Sequence, residues 1–493
     1  MRFYKKIMSN LEITLLVVYG LLMGVLSIYS FHAYLMVYLY RKNRGSRQKH
    51  QQIYSEWPRV TVQLPIFNEQ YVVERLIKSA CSIDYPRDRF EVQVLDDSTD
   101  ETQGLCRRLV DDYRKQGVEV VYIHRDDRTG FKAGALRAGL AVARGEFLAI
   151  FDADFIPPAD FLKKMMPYFS HHRVGVVQSR WGHTNGNCSW LTKGQAIGLD
   201  AHFVIEHGAR NSSGIFMNFN GTAGIWRKAS IIDAGNWQDD TLTEDMDISY
   251  RAQLAGWKFV YVNDVVCPAE VPVDVHGFKS QQYRWAKGAI QTAKKLLPRI
   301  WRDRTLPLLV KWEATVHLTN HIVFPLMLLL SILSWPMLVI KVTESTSRGF
   351  FIGATAFTIC AFSYPLFYIY AQKEIYPDWK RRVMSLPILM AGAVGLSVIN
   401  TKAVFGALFN RQSGFVRTPK YNLNGKSRSW QQKKYRVKFE LTVILEILLA
   451  VYTTFALWYA IDHAQLATIP FMLLYWFGFL FIAGLSLVHA VKN

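Results

Sequence analysis

Apolar stretches of membrane length lie on either side of a charged block, and this alternation limits the chain to membrane helices bracketing a soluble domain. Residues 11 to 40 carry one acid near their start and no other charge, and membrane-like composition returns at 313 to 340, 350 to 371, 439 to 461 and 466 to 490. About 20 apolar residues cross a ~30 Å hydrocarbon layer, so each stretch is long enough. Arg2, Lys5 and Lys6 precede the first stretch, as in a cleaved signal peptide. The stretch exceeds the ~7–15 residues of such a peptide's apolar core, however, and no A-x-A site follows, so it reads as a signal anchor.

The charge excess then fixes an expected orientation. Lys and Arg total 58 against 39 Asp and Glu, a net +19. The excess sits beside apolar segments: Arg41 to Lys49 holds five basic residues and no acid, and Asn410 to Lys438 holds nine and no acid. That is the positive-inside pattern, and nucleic acid is not an expected partner. A further apolar stretch, 383 to 409, begins after Lys380-Arg381-Arg382 and ends at the basic 410–438 loop, so both flanks belong on the cytoplasmic side. It reads as an interfacial or re-entrant segment interrupted at Asn400-Thr401-Lys402. The expected layout is an anchor at 1–45, a cytoplasmic domain at 46–300, and a membrane domain at 301–493. It has five spans, an outside N-terminus and a location in the cell's inner or plasma membrane, with membrane lipids as partners. Five cysteines without a C-x-x-C pair fit neither a zinc site nor a disulfide framework.

Within 58 to 265, short β-branched runs at 60–64, 91–97, 118–124, 145–154 and 174–178 alternate with helical patterns at 70–82, 100–116, 132–143 and 159–169. This predicts a mostly parallel sheet covered on both faces, with ligands beyond the carboxyl ends of the strands. Neither G-x-G-x-x-G nor a P-loop is present, which disfavours dinucleotide oxidoreductases and P-loop ATPases.

Acids stand at those expected strand ends. Asp96-Asp97 close the second run, and Asp152-Ala153-Asp154 close the fourth. Two carboxylates at i and i+2 offer hard oxygen ligands for Mg²⁺ or Mn²⁺, which neutralises a diphosphate; a solvated loop is the plainer reading of either pair alone. Lys132, at a helix start in GFKAG, is placed to donate to a phosphate or is an ordinary surface lysine. Glu244 and Asp245 open a helical run, where one acid complements the helix dipole and the other is free to act as a general base. Gln281, Arg284 and Trp285 share an amphipathic helical pattern; Arg284 suits a diphosphate and Trp285 a sugar ring, while an interfacial anchor is the alternative.

Taken in order, Asp96-Asp97, Asp152-x-Asp154, Thr243-Glu244-Asp245 and Gln281-x-x-Arg284-Trp285, framed by membrane helices, resemble the membrane-bound processive family-2 glycosyltransferases. VLDDSTDET, GFKAGAL, FNGTAG and RWAKGAIQT look most like the cellulose synthase-like mannan and glucomannan synthase branch. The resemblance covers residues 58 to 300 and implies an α/β GT-A (Rossmann-like) domain. It implies Asp245 as the catalytic base of an inverting displacement. Donor contacts would come from Asp96, Asp97, Lys132, Asp152, Asp154 and Arg284, with Asp152 and Asp154 holding Mg²⁺ (or Mn²⁺). Acceptor contacts would come from Phe219, Gly221, Thr222, Glu244, Gln281 and Trp285. The family's cellulose synthases have Cys where Asn220 stands. Phe415 to Lys420 looks like their gating loop, with Arg417 at a Val position and Thr418 and Lys420 left to reach the nucleotide.

The implied function is hexose transfer from a nucleotide sugar, GDP-mannose or UDP-glucose, to a growing β-linked polysaccharide, coupled to translocation and open to accessory export proteins. A non-processive enzyme acting on a glycolipid acceptor is the alternative, and a membrane scaffold with a dead nucleotide-binding domain is disfavoured by the full set of carboxylates.

Overall fold

The computed structural model describes residues 9–44, 54–343, 348–414, 416–423 and 440–491; Phe415 and residues 424 to 438 of the basic loop lie outside them. The β-branched runs form β1 (Val60–Ile66), β2 (Phe90–Asp96), β3 (Val120–His124), β4 (Phe147–Ile150) and β5 (Val174–His183). Two further strands, β6 (Gly224–Arg227) and β7 (Lys258–Ala269), complete one sheet in the order β3-β2-β1-β4-β6-β5-β7. Strand β6 runs antiparallel to β4 and β5 while the other pairs are parallel, so the sheet is mixed.

Both added strands escape pattern reading for physical reasons. Strand β6 reads Gly224-Ile225-Trp226-Arg227, with a single β-branched residue, and so forms no β-branched run. In β7 the pairing jumps from Ser179↔Val262 to Arg180↔Val266, so the polar Asn263-Asp264 step loops out of an otherwise apolar run. β2 and β4 are buried along their whole length and β1 at all but one residue, as expected of strands covered on both faces. The chain turns from β1 to β2 on one side and places β4 on the other, which opens a crevice at the carboxyl ends of β1 and β4. Phe131–Val142 is shifted by one residue at full length, and three of the helices run shorter than their patterns, at Val73–Cys81, Thr102–Lys115 and Phe161–Met165. After the last of these the chain tightens to a 3₁₀ turn at Met166–Phe169, where Pro167 supplies no amide donor.

Among the described residues, five helices are long and apolar enough to cross a membrane: Asn10–Lys42, Leu308–Thr343, Gly349–Ile375, Thr442–Asp462 and Ile469–Ala490. A sixth apolar unit, Trp379–Gly395 with Ser397–Leu408, is bent by 43°. The bend falls at Leu396 and not at Asn400-Thr401-Lys402, which lie inside the second half. Next to the bend, a Cβ on Gly395 would run into the Gly478 carbonyl and Ile482, so this glycine allows close helix contact there. Both halves touch the sheet domain. Gly194 approaches Leu389 on one half, and Lys294 donates to the Ala407 carbonyl (3.0 Å) and Asn410 Oδ1 (2.7 Å) at the end of the other.

The long helix Val275–Arg302 joins the two regions. Asp274 caps it by accepting from the Gly277 amide at 2.6 Å. Four residues into it, the fully buried Lys279 ammonium donates to Glu446 (2.7 Å) and Ser486 (2.8 Å) of two membrane helices. A buried pair broken on one side leaves an uncompensated charge, whereas replacing both partners removes the problem. Lys279→Met alone should therefore destabilise the purified protein by ~3–5 kcal/mol, and Lys279→Met with Glu446→Leu should recover most of that. Thermal unfolding in detergent reads the difference; equal losses in the single and double variants would contradict it.

Candidate active site

The crevice at the strand ends is a cleft of about 180 Å³. It gathers acids from segments far apart in sequence: Glu69, Asp97, Asp152, Asp154, Glu244, Asp245 and Glu270. Like charges at this density repel, and cations from several elements offset them. Arg125 makes a forked contact to Asp97, Nε to Oδ1 at 2.8 Å and a terminal nitrogen to Oδ2 at 2.5 Å. Lys132 donates to Asp152 Oδ1 at 2.5 Å and to the Gly221 carbonyl at 2.9 Å, and lies 4.0 Å from Glu244. Lys420 pairs with Asp154 and stands 3.7 Å from Glu69, which Arg417 approaches to 3.6 Å.

Local structure explains these placements. Asp152 follows β4 by two residues, and its amide donates to the Thr222 hydroxyl at 2.9 Å, which sets the turn. Lys132 stands in the first turn of Phe131–Val142, entered through Gly130 in the left-handed region. Gly221 has φ +80°, and a Cβ there would sit 2.9 Å from Asp245 Oδ2 and 3.3 Å from Lys132 Nζ. Only glycine fits between these groups. Glu244 and Asp245 open the helix Glu244–Leu254, and Asp245 Oδ1 accepts from the Met246 amide at 2.8 Å. Gln281, Arg284 and Trp285 lie at i, i+3 and i+4 of Val275–Arg302 and therefore share one face, which forms a wall of the cleft.

Of the residues singled out in the sequence, Asp97, Lys132, Asp152, Asp154, Gly221, Glu244, Asp245, Gln281, Arg284, Trp285, Thr418 and Lys420 all line this cleft. Asp96, Phe219 and Thr222 are not brought to it. The Asp96 carboxylate faces inward, accepting from the Ser98 amide (2.9 Å) and Tyr122 hydroxyl (2.6 Å), and so shapes the turn that presents Asp97. Phe219 is buried edge-on against Trp226, and the Thr222 hydroxyl supports Asp152 from behind. Conversely, Glu69, Arg125 and Glu270 belong to the site although no motif marks them. Each follows a strand by one to three residues, the position that distinguishes the other acids.

The electrostatics separate the acids. Burial, with the neighbouring Glu244 charge, raises Asp245 to about 7, against the opposing pull of Lys132, the Met246 amide and Arg284. Burial works against the charge on Lys132, but Asp152 and Glu244 outweigh it and raise the ammonium above its ordinary value. Glu69 is raised by burial despite Lys420 and Arg417.

Asp245 and Trp285 also line a second cavity of about 400 Å³, bounded by His202, Glu206, His317, Phe324, Tyr368, Leu389 and Phe481. Asn220 lines both, with its carbonyl oxygen 2.6 Å from His207 Nε2 and its amide nitrogen 2.9 Å from His202 Nε2.

Residues 58–288 match the family model described as "Glycosyltransferase like family 2". Over 263 residues the chain is 40% identical to "Glucomannan 4-beta-mannosyltransferase 7" of Arabidopsis thaliana, covering 52% of this chain and 47% of that protein. Over 253 residues it is 44% identical to "Probable glucomannan 4-beta-mannosyltransferase 11" of Oryza sativa subsp. japonica, covering 50% and 44% respectively. The chain thus spans about half the length of the curated relatives it matches. Among solved structures, "Mannosyltransferase PcManGT from Pyrobaculum calidifontis in complex with GDP-Man and Mn2+" superposes with TM-score 0.54 at 20% identity, covering 80% of this chain and 100% of that one. That likeness is one of fold, a GT-A sheet with its helices.

The balance of charges around Asp245 is directly testable. Glu244→Gln removes the like charge and should lower the Asp245 pKa below about 7, whereas Lys132→Met removes an opposing charge and should raise it. Infrared difference titration of the protonated carboxyl band reads both shifts; movement of the two in the same direction would contradict this balance.

Proposed function

From the premise that residues 58–288 carry a glycosyltransferase family 2 domain on a GT-A fold, we propose that the protein is an inverting, processive hexosyltransferase. It takes hexose from a nucleotide sugar and extends a β-linked polysaccharide that leaves through the membrane helices. The observation that carries this reading is a cleft of paired carboxylates and cations that shares Asn220, Asp245, Gln281 and Trp285 as wall residues with a larger neighbouring cavity between apolar helices. The glucomannan mannosyltransferase relatives, and the GDP-mannose complex of the fold neighbour, favour GDP-mannose over UDP-glucose as donor.

In this reading Asp245 takes the proton of the acceptor hydroxyl as that oxygen bonds to the anomeric carbon, and the bond from that carbon to the nucleoside diphosphate breaks. A base with pKa about 7 is ionised enough to accept near neutral pH and basic enough to pull. Lys132, Arg284 and Lys420 meet the charge left on the diphosphate, and Trp285 offers a face to the acceptor's terminal ring. Asp152 and Asp154 both line the cleft and are the residues that would hold a cation there, and no group of three or more His, Cys, Asp or Glu able to hold a metal occurs among the described residues. Two carboxylates suit Mg²⁺ or Mn²⁺, which keep several positions for phosphate oxygens and water. Such an ion, when bound, would neutralise the diphosphate as it departs.

Asp245→Asn should keep nucleoside diphosphate binding while transfer falls ~10²–10⁴-fold. Asp154→Asn should weaken that binding itself. Calorimetry with GDP and Mn²⁺, set beside radiolabelled transfer from GDP-mannose and UDP-glucose, separates the two, and undiminished transfer by the Asp245 variant would overturn its role.

The proposed topology is an integral membrane protein with the sheet domain on the cytoplasmic side and both flanks of 379–408 facing it. Gln412 is exposed just beyond the bent pair. A cysteine placed there should resist a membrane-impermeant thiol reagent in intact cells and react after permeabilisation. Labelling in intact cells would require six spans.

A further inference from the structure

Residues 416–423 cross the donor end of the cleft, and their attachment does not rest on Lys420 alone. Glu270, the residue after β7, has a side chain only 4% exposed, and it accepts hydrogen bonds from three successive amides of that segment. Tyr421 and Asn422 donate to one oxygen at 3.0 and 3.1 Å, and Leu423 donates to the other at 3.1 Å. Asn422 holds φ +56°, which turns consecutive N–H groups toward one point, the concave arrangement that binds an anion. Here the anion is a side chain of the protein itself.

Arg75 completes the arrangement from the helix Val73–Cys81. Its guanidinium donates to Glu270 Oε1 (2.9 Å), to Asn422 Oδ1 (2.6 Å) and to the carbonyl of Asp154 (3.2 Å). Side chains on either side of the turn bury Tyr421 and Leu423 against Val273, and the Tyr421 hydroxyl reaches Asp274, the cap of the helix carrying Arg284 and Trp285. Ahead of this anchor, Lys420 lies on Asp154, and the Thr418 hydroxyl, 6% exposed, lines the cleft with no hydrogen-bond partner among the described residues. One end of the segment is therefore fixed by five polar contacts, from Arg75, Glu270 and Asp274, while the other presents its groups to the cleft.

We propose that Glu270, clamped by Arg75, is the positioning residue that docks residues 421–423 so that Lys420 and Thr418 stand over the donor diphosphate site. The identity of the donor rests on the function proposed above; the docking itself does not. Residues 421–423 stay seated on Glu270, and Lys420 exchanges between Asp154 with Glu69 and the diphosphate oxygens. Glu270 thus touches no substrate and acts through Lys420.

Hydrogen exchange on the full-length protein in detergent tests the docking without turnover. Glu270→Gln and, independently, Arg75→Met should each speed exchange of the 421–423 amides by at least about tenfold, since hydrogen bonds to a charged acceptor are lost. Unchanged exchange in either correctly folded variant overturns the proposal, and Arg75→Met carries the test alone should Glu270→Gln fail to fold. A double-mutant cycle then tests the route of action. Glu270→Gln should raise the KM for GDP-mannose about tenfold in the native background and leave it unaltered when Lys420→Ala is already present. An undiminished effect on the Lys420→Ala background would make Glu270 merely structural. If no nucleotide sugar supports turnover while exchange responds as stated, the function proposed above fails and the docking stands.

Discussion

The interaction on which the rest of this structure depends is the mutual repulsion of carboxylates gathered at one crevice. At an effective dielectric of ~20, two unit charges 4 Å apart interact by ~4 kcal/mol, so an unpaired cluster of this size would hold the strand ends apart. The chain answers with cations drawn from different places. Arg125 follows β3, Lys132 begins a helix, Arg75 lies on the helix after β1, and Lys420 comes from a segment beyond the bent helix pair. The sheet region alone therefore does not balance its own cleft: Lys420, from beyond the bent helix pair, supplies the partner of Asp154.

That dependence explains why the two parts are joined by buried polar contacts and not by apolar packing alone. Lys279 reaches Glu446 and Ser486, and Arg210 and His32 meet Glu313 where the first membrane helix passes the sheet domain. Buried ion pairs contribute little net stability, because desolvation offsets the attraction; what they specify is register. A helix such as Val275–Arg302 that slid by one turn would separate Lys279 from Glu446 and carry Arg284 and Trp285 away from the cleft in the same movement.

Much of this is legible in the sequence because periodicity and strand-end position are local signals. The β-branched runs locate five of the seven strands, and acids just past them lead to Asp97, Asp152 and Asp154. The same rule applied to every strand end would reach Glu69, Arg125 and Glu270, but β7 is hidden by its looped-out Asn263-Asp264 step, and Glu270 with it. Motif matching also overreaches. It cannot tell which side of an extended segment a residue faces, and in Phe219 to Thr222 neighbouring residues serve opposite surfaces: Asn220 and Gly221 face the cleft while Phe219 enters the core and Thr222 braces Asp152. Pairings across the chain, such as Lys420 with Asp154, follow from tertiary placement, for which one sequence carries no local signal.

The two neighbouring cavities are built differently, and under the proposed function the difference has a consequence. The donor end is covered by 416–423, anchored through backbone amides, so exchange of a nucleotide there requires only the groups ahead of the anchor to move. The cavity on the other side of Trp285 has a wall that mixes aromatic faces with His202, Glu206 and His317. Such a wall suits a chain of sugar rings, which present apolar faces and hydroxyl edges in alternation. Under the proposed function donor and acceptor then occupy different spaces. A product held in the larger cavity need not leave when a spent nucleotide does, which is the geometric condition for adding many residues to one chain. A single shared space would instead force product and nucleotide to exchange in turn and would limit each encounter to one transfer.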